Sequence, residues 1–226
     1  MIRLTISFVT FGFFCITTFA QHNSQLINHS PGNNSTSPGN SVTEIILDSD
    51  VQLEEALYGQ KIPATVKADL TLITVSYYGF DDKLHQGQLV IHKEVAQDVK
   101  EIFEIIRQIH FPIEKVTPIC EYKWSDEESM RDNNTSCFNY RFISGSKILS
   151  KHASGLAVDI NPKQNPYIKN GITSPTGSVY DTDTKGTITA DSRIFEEFKK
   201  RGWTWGGDWK SLKDYQHFQK ILSADK

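Results

Sequence analysis

The sequence predicts an α+β domain on the strength of short apolar alternations, two separate amphipathic stretches and the lack of any internal repeat. Ile73, Val75 and Tyr77 alternate with Thr74 and Ser76, which predicts a strand, and Leu89 to His92 reads as a second short one. Between Lys93 and Ile109 the apolar residues Val95, Val99, Ile102, Phe103 and Ile106 recur at helical spacing, and the helix must stop before Pro112. Leu156, Val158 and Ile160 alternate with Ala157 and Asp159 in a strand that ends at Asn161-Pro162, so a carboxylate lies opposite the apolar face. A last helix is marked by Asp191 as cap, the stripe Ile194, Phe195 and Phe198, the cations Lys199 to Arg201, and Gly202 as stop.

The chain has 226 residues, enough for one domain with a substantial core. Residues 1–20 carry Arg3, an apolar run from Ile6 to Phe19 and the small residues Thr18 and Ala20 around Phe19, which together read as a signal peptide. The run is shorter than the roughly 20 residues a bilayer span requires, so no stable membrane span is expected after cleavage. The mature protein is then exported, to a periplasm or beyond the cell. Residues 21–43, rich in Asn, Ser, Pro and Gly, read as a flexible linker, and the folded domain is expected over 44–226.

A net charge of −3 gives no basic field for phosphate, which argues against nucleic acid and leaves a peptide or small molecule as the expected partner. A monomer is the default. Loss of the leader would remove Cys15 and leave Cys120 and Cys137; export permits a disulfide between them, and the spacing alone leaves it open.

The chemistry concentrates in Ser150-Lys151-His152-Ala153-Ser154-Gly155-Leu156-Ala157-Val158-Asp159 and in Asp214-Tyr215-Gln216-His217. Two imidazoles and a carboxylate form a usual ligand set for one zinc ion with an open fourth position. Seven extended residues would span about 23 Å, so His152 and Asp159 can share an ion only if the chain bends, and Ala153-Ser154-Gly155 supplies small residues where it must. Asp214, three residues before His217, is placed to act as a proton carrier rather than a ligand. His85, His92 and His110 lack a partner at suggestive spacing and read as structural.

These segments resemble the zinc D-alanyl-D-alanine carboxypeptidase family, which includes L-alanyl-D-glutamate endopeptidases and phage endolysins. Its members share Ser-x-His-x-x-Gly-x-Ala-x-Asp and, downstream, an acidic residue three positions before a histidine; here Ser150, His152, Gly155, Ala157 and Asp159 match, then Asp214 and His217. The likeness extends through Asn133 to Ser136, Phe138-Asn139, Arg141, Asp159 to Pro162, Asn165 to Tyr167 and Gly202 to Trp209, covering roughly Tyr78 to Phe218. The resemblance implies a single small α+β domain with a central antiparallel sheet flanked by helices, His152, Asp159 and His217 as zinc ligands, Asp214 as catalytic base, and stem peptides of peptidoglycan or muropeptides as substrate.

Many relatives carry a Gly-Tyr-Arg segment whose arginine polarises the scissile carbonyl, whereas the comparable stretch here is Glu121-Tyr122-Lys123-Trp124-Ser125. Arg141 is the favoured substitute and Arg131 the next; the alternative is that either pairs with acids such as Asp126 or Glu127. Ser136, Asn139, Ser150 and Trp205 are candidate substrate contacts, although Trp203 and Trp205 also suit a core. Asn133 and Asn134 either bind substrate or tie a loop. The favoured activity is a D-alanyl-D-alanine carboxypeptidase. An L-alanyl-D-glutamate or cross-bridge endopeptidase is the alternative, and a non-catalytic wall-binding module on the same fold is the second.

Overall fold

The computed structural model describes residues 44–222; the leader and linker assigned to 1–43 lie outside the described residues. In chain order the elements are β1 (Ile46–Leu47), α1 (Leu53–Ala56), α2 (Ala64–Ala68), β2 (Leu70–Tyr78), β3 (Leu84–His92), α3 (Ala96–Gln108), β4 (Lys115–Val116), α4 (Asp126–Arg131) and β5 (Asn134–Thr135). They continue with β6 (Ala157–Asp159), β7 (Tyr167–Lys169), β8 (Ile172–Ser174), α5 (Arg193–Lys200), β9 (Thr204–Trp205), β10 (Lys213–Asp214) and β11 (His217–Gln219). The fold is α+β, but its strands divide into small sheets rather than one central one: β1-β3-β2, β10-β7-β8, β6-β11-β9 and the pair β4-β5.

The long hairpin of β2 and β3 is antiparallel from Leu70 opposite His92 to Tyr78 opposite Leu84. Its strands run beyond the segments legible in sequence because Gly87, Gln86 and His85 interrupt the apolar pattern without breaking the pairing. Gly87 is required where β3 passes β4: a Cβ there would lie 2.1 Å from the Val116 carbonyl oxygen. On the inner face, Ile73, Val75 and Tyr77 pack with Val99, Ile102, Phe103 and Ile106 of α3, as the two periodicities predict. No helix among the described residues is long and apolar enough to cross a membrane.

The second half of the domain joins this core through aromatic residues. Phe198 of α5 stacks on Phe218 of β11 with ring centroids 3.9 Å apart and meets Trp203 edge-on at 5.3 Å. The cap of α5 is Ser192, whose Oγ accepts from the Phe195 amide at 3.3 Å; Asp191 instead accepts from the Thr189 hydroxyl. Trp205 is 3 % exposed, donates its indole proton to the Tyr215 carbonyl and packs on Phe195 and Phe218. It is therefore a core residue, which corrects its expectation as a substrate contact.

Cys120 and Cys137 are both free thiols, and the Cys137 sulfur is buried against the Gly155 carbonyl oxygen at 3.6 Å. Gly155 joins the two halves. Its carbonyl also accepts from the His92 amide, its φ is +67°, and an added Cβ would sit 2.6 Å from that His92 nitrogen. Gly155→Ala is expected to destabilise the domain by about 2 kcal/mol or more, through left-handed strain and displacement of β3. Chemical denaturation of the two proteins measures this difference, and an unchanged midpoint would contradict it.

Candidate metal centre

His152, Asp159 and His217 reach one point by three different local devices. His152 sits in a single 3₁₀ turn, Lys151–Ser154, capped by Ser150, whose Oγ accepts from the His152 amide at 3.2 Å. Gly155 closes that turn in the left-handed region, which is the bend required between His152 and Asp159. Asp159 and His217 need no bend between them, because antiparallel pairing of β6 with β11 sets them directly opposite each other. On its other side Asp159 bridges to Ser136, with main-chain bonds of 3.1 and 2.9 Å.

The resulting cluster is tight and buried. His152 Nε2 lies 3.1 Å from Asp159 Oδ2 and 3.1 Å from His217 Nδ1, and His217 Nδ1 lies 2.9 Å from Asp159 Oδ1. One donor atom from each residue falls within 4.8 Å of the others, a spacing that could hold a metal ion. The outer ring nitrogens are also committed. His152 Nδ1 donates to the Cys137 carbonyl, and His217 Nε2 to Gln219 Oε1 at 3.0 Å. Each neutral ring then turns a lone pair inward, His152 through Nε2 and His217 through Nδ1, as a metal ligand must.

Without an ion, the same inner atoms pair as a charged imidazole and its counter-charge. Burial alone would raise the Asp159 carboxyl, but the charge and hydrogen bonds of His152 and His217 hold it well below the usual carboxylate range. Burial alone would lower His217, yet the hydrogen bond and charge of Asp159 prevail and raise its imidazole to about 9. Burial pushes the Asp214 carboxyl up to about 6, against the pull of His217, while the negative Asp159 adds to the rise. Asp214 Oδ1 is buried without a hydrogen-bond partner. A carboxylate oxygen left free beside two imidazoles is equipped to accept a proton.

Asp214 is held by close backbone packing. It pairs with Tyr167 across β10 and β7, and Gly206 leaves room for it, since a Cβ at 206 would lie 2.5 Å from the Asp214 carbonyl oxygen. Trp209 is half-buried, with its ring centroid 5.4 Å from that of His217, and is the tryptophan of the 203–209 stretch that faces the site.

The remaining candidates divide. Arg141 is half-buried, pairs through Nη2 with Asp126 Oδ2 at 2.8 Å, and keeps a buried Nε with no partner. Its carbonyl accepts from the Ser150 amide, which ties it to the turn that carries His152. Arg131 lies on the exposed side of α4, paired with Glu128, and the structure does not bring it to the cluster. Ser136 is buried beside Asp159 by its main chain, and Ser150 is a cap. Asn139 donates its amide to the His152 carbonyl at 3.1 Å and its side chain to Asp126 at 3.3 Å. Asn134 bonds the main chain of Thr117, and Asn133 the Lys163 amide, so both tie loops.

Sequence reasoning missed Gln219 and the Cys137 carbonyl. Gln219 had a signal, since a residue two positions after His217 on a strand shares its face; the carbonyl had none. His85 was also underread: Asp48 and Asp81 flank its ring nitrogens at 3.1 Å each, and Asp81 stands four residues before it.

A buried two-histidine, one-carboxylate cluster with a free carboxylate oxygen beside it defines the class: a site able to hold a metal ion together with a proton acceptor. Residues 144–220 match the family model of D-alanyl-D-alanine carboxypeptidase, and the match supports the peptidoglycan-acting peptidase family that the motifs resemble. His152, Asp159, Asp214 and His217 all lie within the matched stretch. No curated protein and no solved structure matches the chain.

With His217 raised to about 9, its proton must leave before Nδ1 can ligate. Zinc added to chelator-stripped protein at pH 7 should therefore displace about one proton per ion, with affinity rising as pH approaches that value. Calorimetry in buffers of different ionisation enthalpy counts the protons, and a count near zero would contradict the raised His217 pKa. Gln219→Leu removes the acceptor that fixes the His217 tautomer and should weaken zinc affinity about 10–100-fold.

Proposed function

We propose that the protein is an exported zinc peptidase that hydrolyses a peptide bond in peptidoglycan stem peptides, with the terminal D-alanyl-D-alanine bond as its substrate. The observation that carries this reading is the convergence of His152, Asp159 and His217 beside the unpartnered Asp214 oxygen, inside the segment matched by the carboxypeptidase family model. His152 Nε2, His217 Nδ1 and an Asp159 carboxylate oxygen would hold the ion. When bound, zinc supplies a Lewis acid for the scissile carbonyl and lowers the pKa of water towards about 7.

The chain's own residues account for the rest. Asp214 Oδ1 takes the proton of the attacking water and passes it to the amine that leaves, a task suited to a carboxyl raised to about 6. Arg141, anchored through Nη2 by Asp126, offers the unpartnered Nε–H to the oxygen that gains negative charge. Trp209, half-buried against His217, forms an apolar wall for the substrate.

The test is incubation of the protein from Glu44 with purified muropeptides and mass-spectrometric detection of products. Loss of one alanine that stops with chelator and returns with zinc is expected, and Asp214→Ala should abolish it. Arg141→Ala should lower kcat by about 10²–10³-fold while leaving zinc affinity unchanged. A fragment cut between L-alanine and D-glutamate would replace the carboxypeptidase reading with an endopeptidase one. No product from folded, zinc-loaded protein would overturn the enzymatic reading.

A further inference from the structure

Just ahead of the Ser150 cap the chain folds back on itself as a short hairpin. Phe142 and Leu149 form an antiparallel bridge, the Ile143 amide donates to the Ile148 carbonyl at 2.8 Å, and the Ser150 amide donates to the Arg141 carbonyl at 3.1 Å. Successive residues of a strand face opposite ways, and residues paired across a hairpin face the same way. Phe142 and Leu149 thus lie on one face, and Ile143 and Ile148 on the other. All four are exposed, at 57 %, 45 %, 47 % and 67 %. A hairpin packed on its own domain would be apolar on one face only, and a bare two-stranded hairpin has little stability in water.

The charge of this stretch is as one-sided as its polarity is not. Arg141, Lys147 and Lys151 fall between Tyr140 and Ser154 with no Asp or Glu among them, in a chain of net charge −3. Arg141 is taken by Asp126, whereas Lys147 and Lys151 form no ion pair among the described residues.

We infer that the 141–150 hairpin is a docking finger for the surface of an anionic phospholipid bilayer. A flat protein face would cover one side of the hairpin, while a fluid apolar medium covers both at once. The three residues from Phe142 towards the turn extend about 10 Å, comparable to the depth that interfacial segments reach. Lys147 can return its ammonium to the phosphates on a flexible stem, and Lys151 stands at the root, so both meet negative headgroups. Docking there holds His152, two residues past the hairpin, at the membrane face. The inference does not depend on the reaction proposed above.

Vesicle flotation of the protein from Glu44, which carries the whole described fold, tests it. Co-flotation with vesicles of phosphatidylcholine and phosphatidylglycerol is expected, at least about tenfold above pure phosphatidylcholine and weakened by salt. The double variant Phe142→Ser with Ile148→Ser should lose it, and Lys147→Glu should weaken it, both with the circular dichroism melt unchanged. Absence of flotation, equal flotation with neutral vesicles, or flotation unaffected by these variants would overturn the inference. A dimer in light scattering that the double variant abolishes, without vesicle binding, would overturn it in favour of a second copy of the chain.

Discussion

The antiparallel pairing of β6 with β11, in the register that sets Asp159 opposite His217, is the constraint on which the rest of the site depends. A slip of β11 by one residue would turn His217 away from Asp159 and carry Phe218 out of the core. Phe218 is fully buried and stacked on Phe198, so apolar packing on one face fixes the register that aligns Asp159 and His217 on the other. The same strands that bury the core therefore aim the chemistry.

Burial of two imidazoles and two carboxyl groups is costly unless each polar atom is matched. The inner atoms of the cluster match one another, and the outer nitrogens are taken by the Cys137 carbonyl and by Gln219. Asp214 Oδ1 is the exception, and the rise in its pKa is the expected response of a carboxylate left unsatisfied in a dry place. The domain retains there a proton acceptor that a fully satisfied network would have neutralised.

Much of this was legible in sequence, for reasons that differ by residue. The period-two alternation at Ile73 to Tyr77 and the helical stripe at Val99 to Ile106 encode burial directly, so the main hairpin and α3 could be read. His152, Asp159 and His217 were legible through motif spacing, and the bend between the first two through its glycine. The division into small sheets was not legible, because strands such as β9 and β10 are two residues long and owe their existence to tertiary pairing. Trp205 misled because a tryptophan carries no local sign of which way it faces. The start of α5 shows a similar limit: Asp191 and Ser192 are both good caps by residue type, and geometry chose the second. Arg131 and Arg141 are equivalent as residue types; they separate only when the fold sets one on an open helix face and the other beside the His152 turn.

Three side chains from two distant segments are positioned to hold one metal ion. Anomalous diffraction at the zinc edge, from a crystal soaked in zinc, tests it most directly. A single strong peak is expected about 2.0–2.2 Å from His152 Nε2, His217 Nδ1 and an Asp159 carboxylate oxygen. A peak elsewhere, or none at this cluster under conditions that load other zinc proteins, would contradict it.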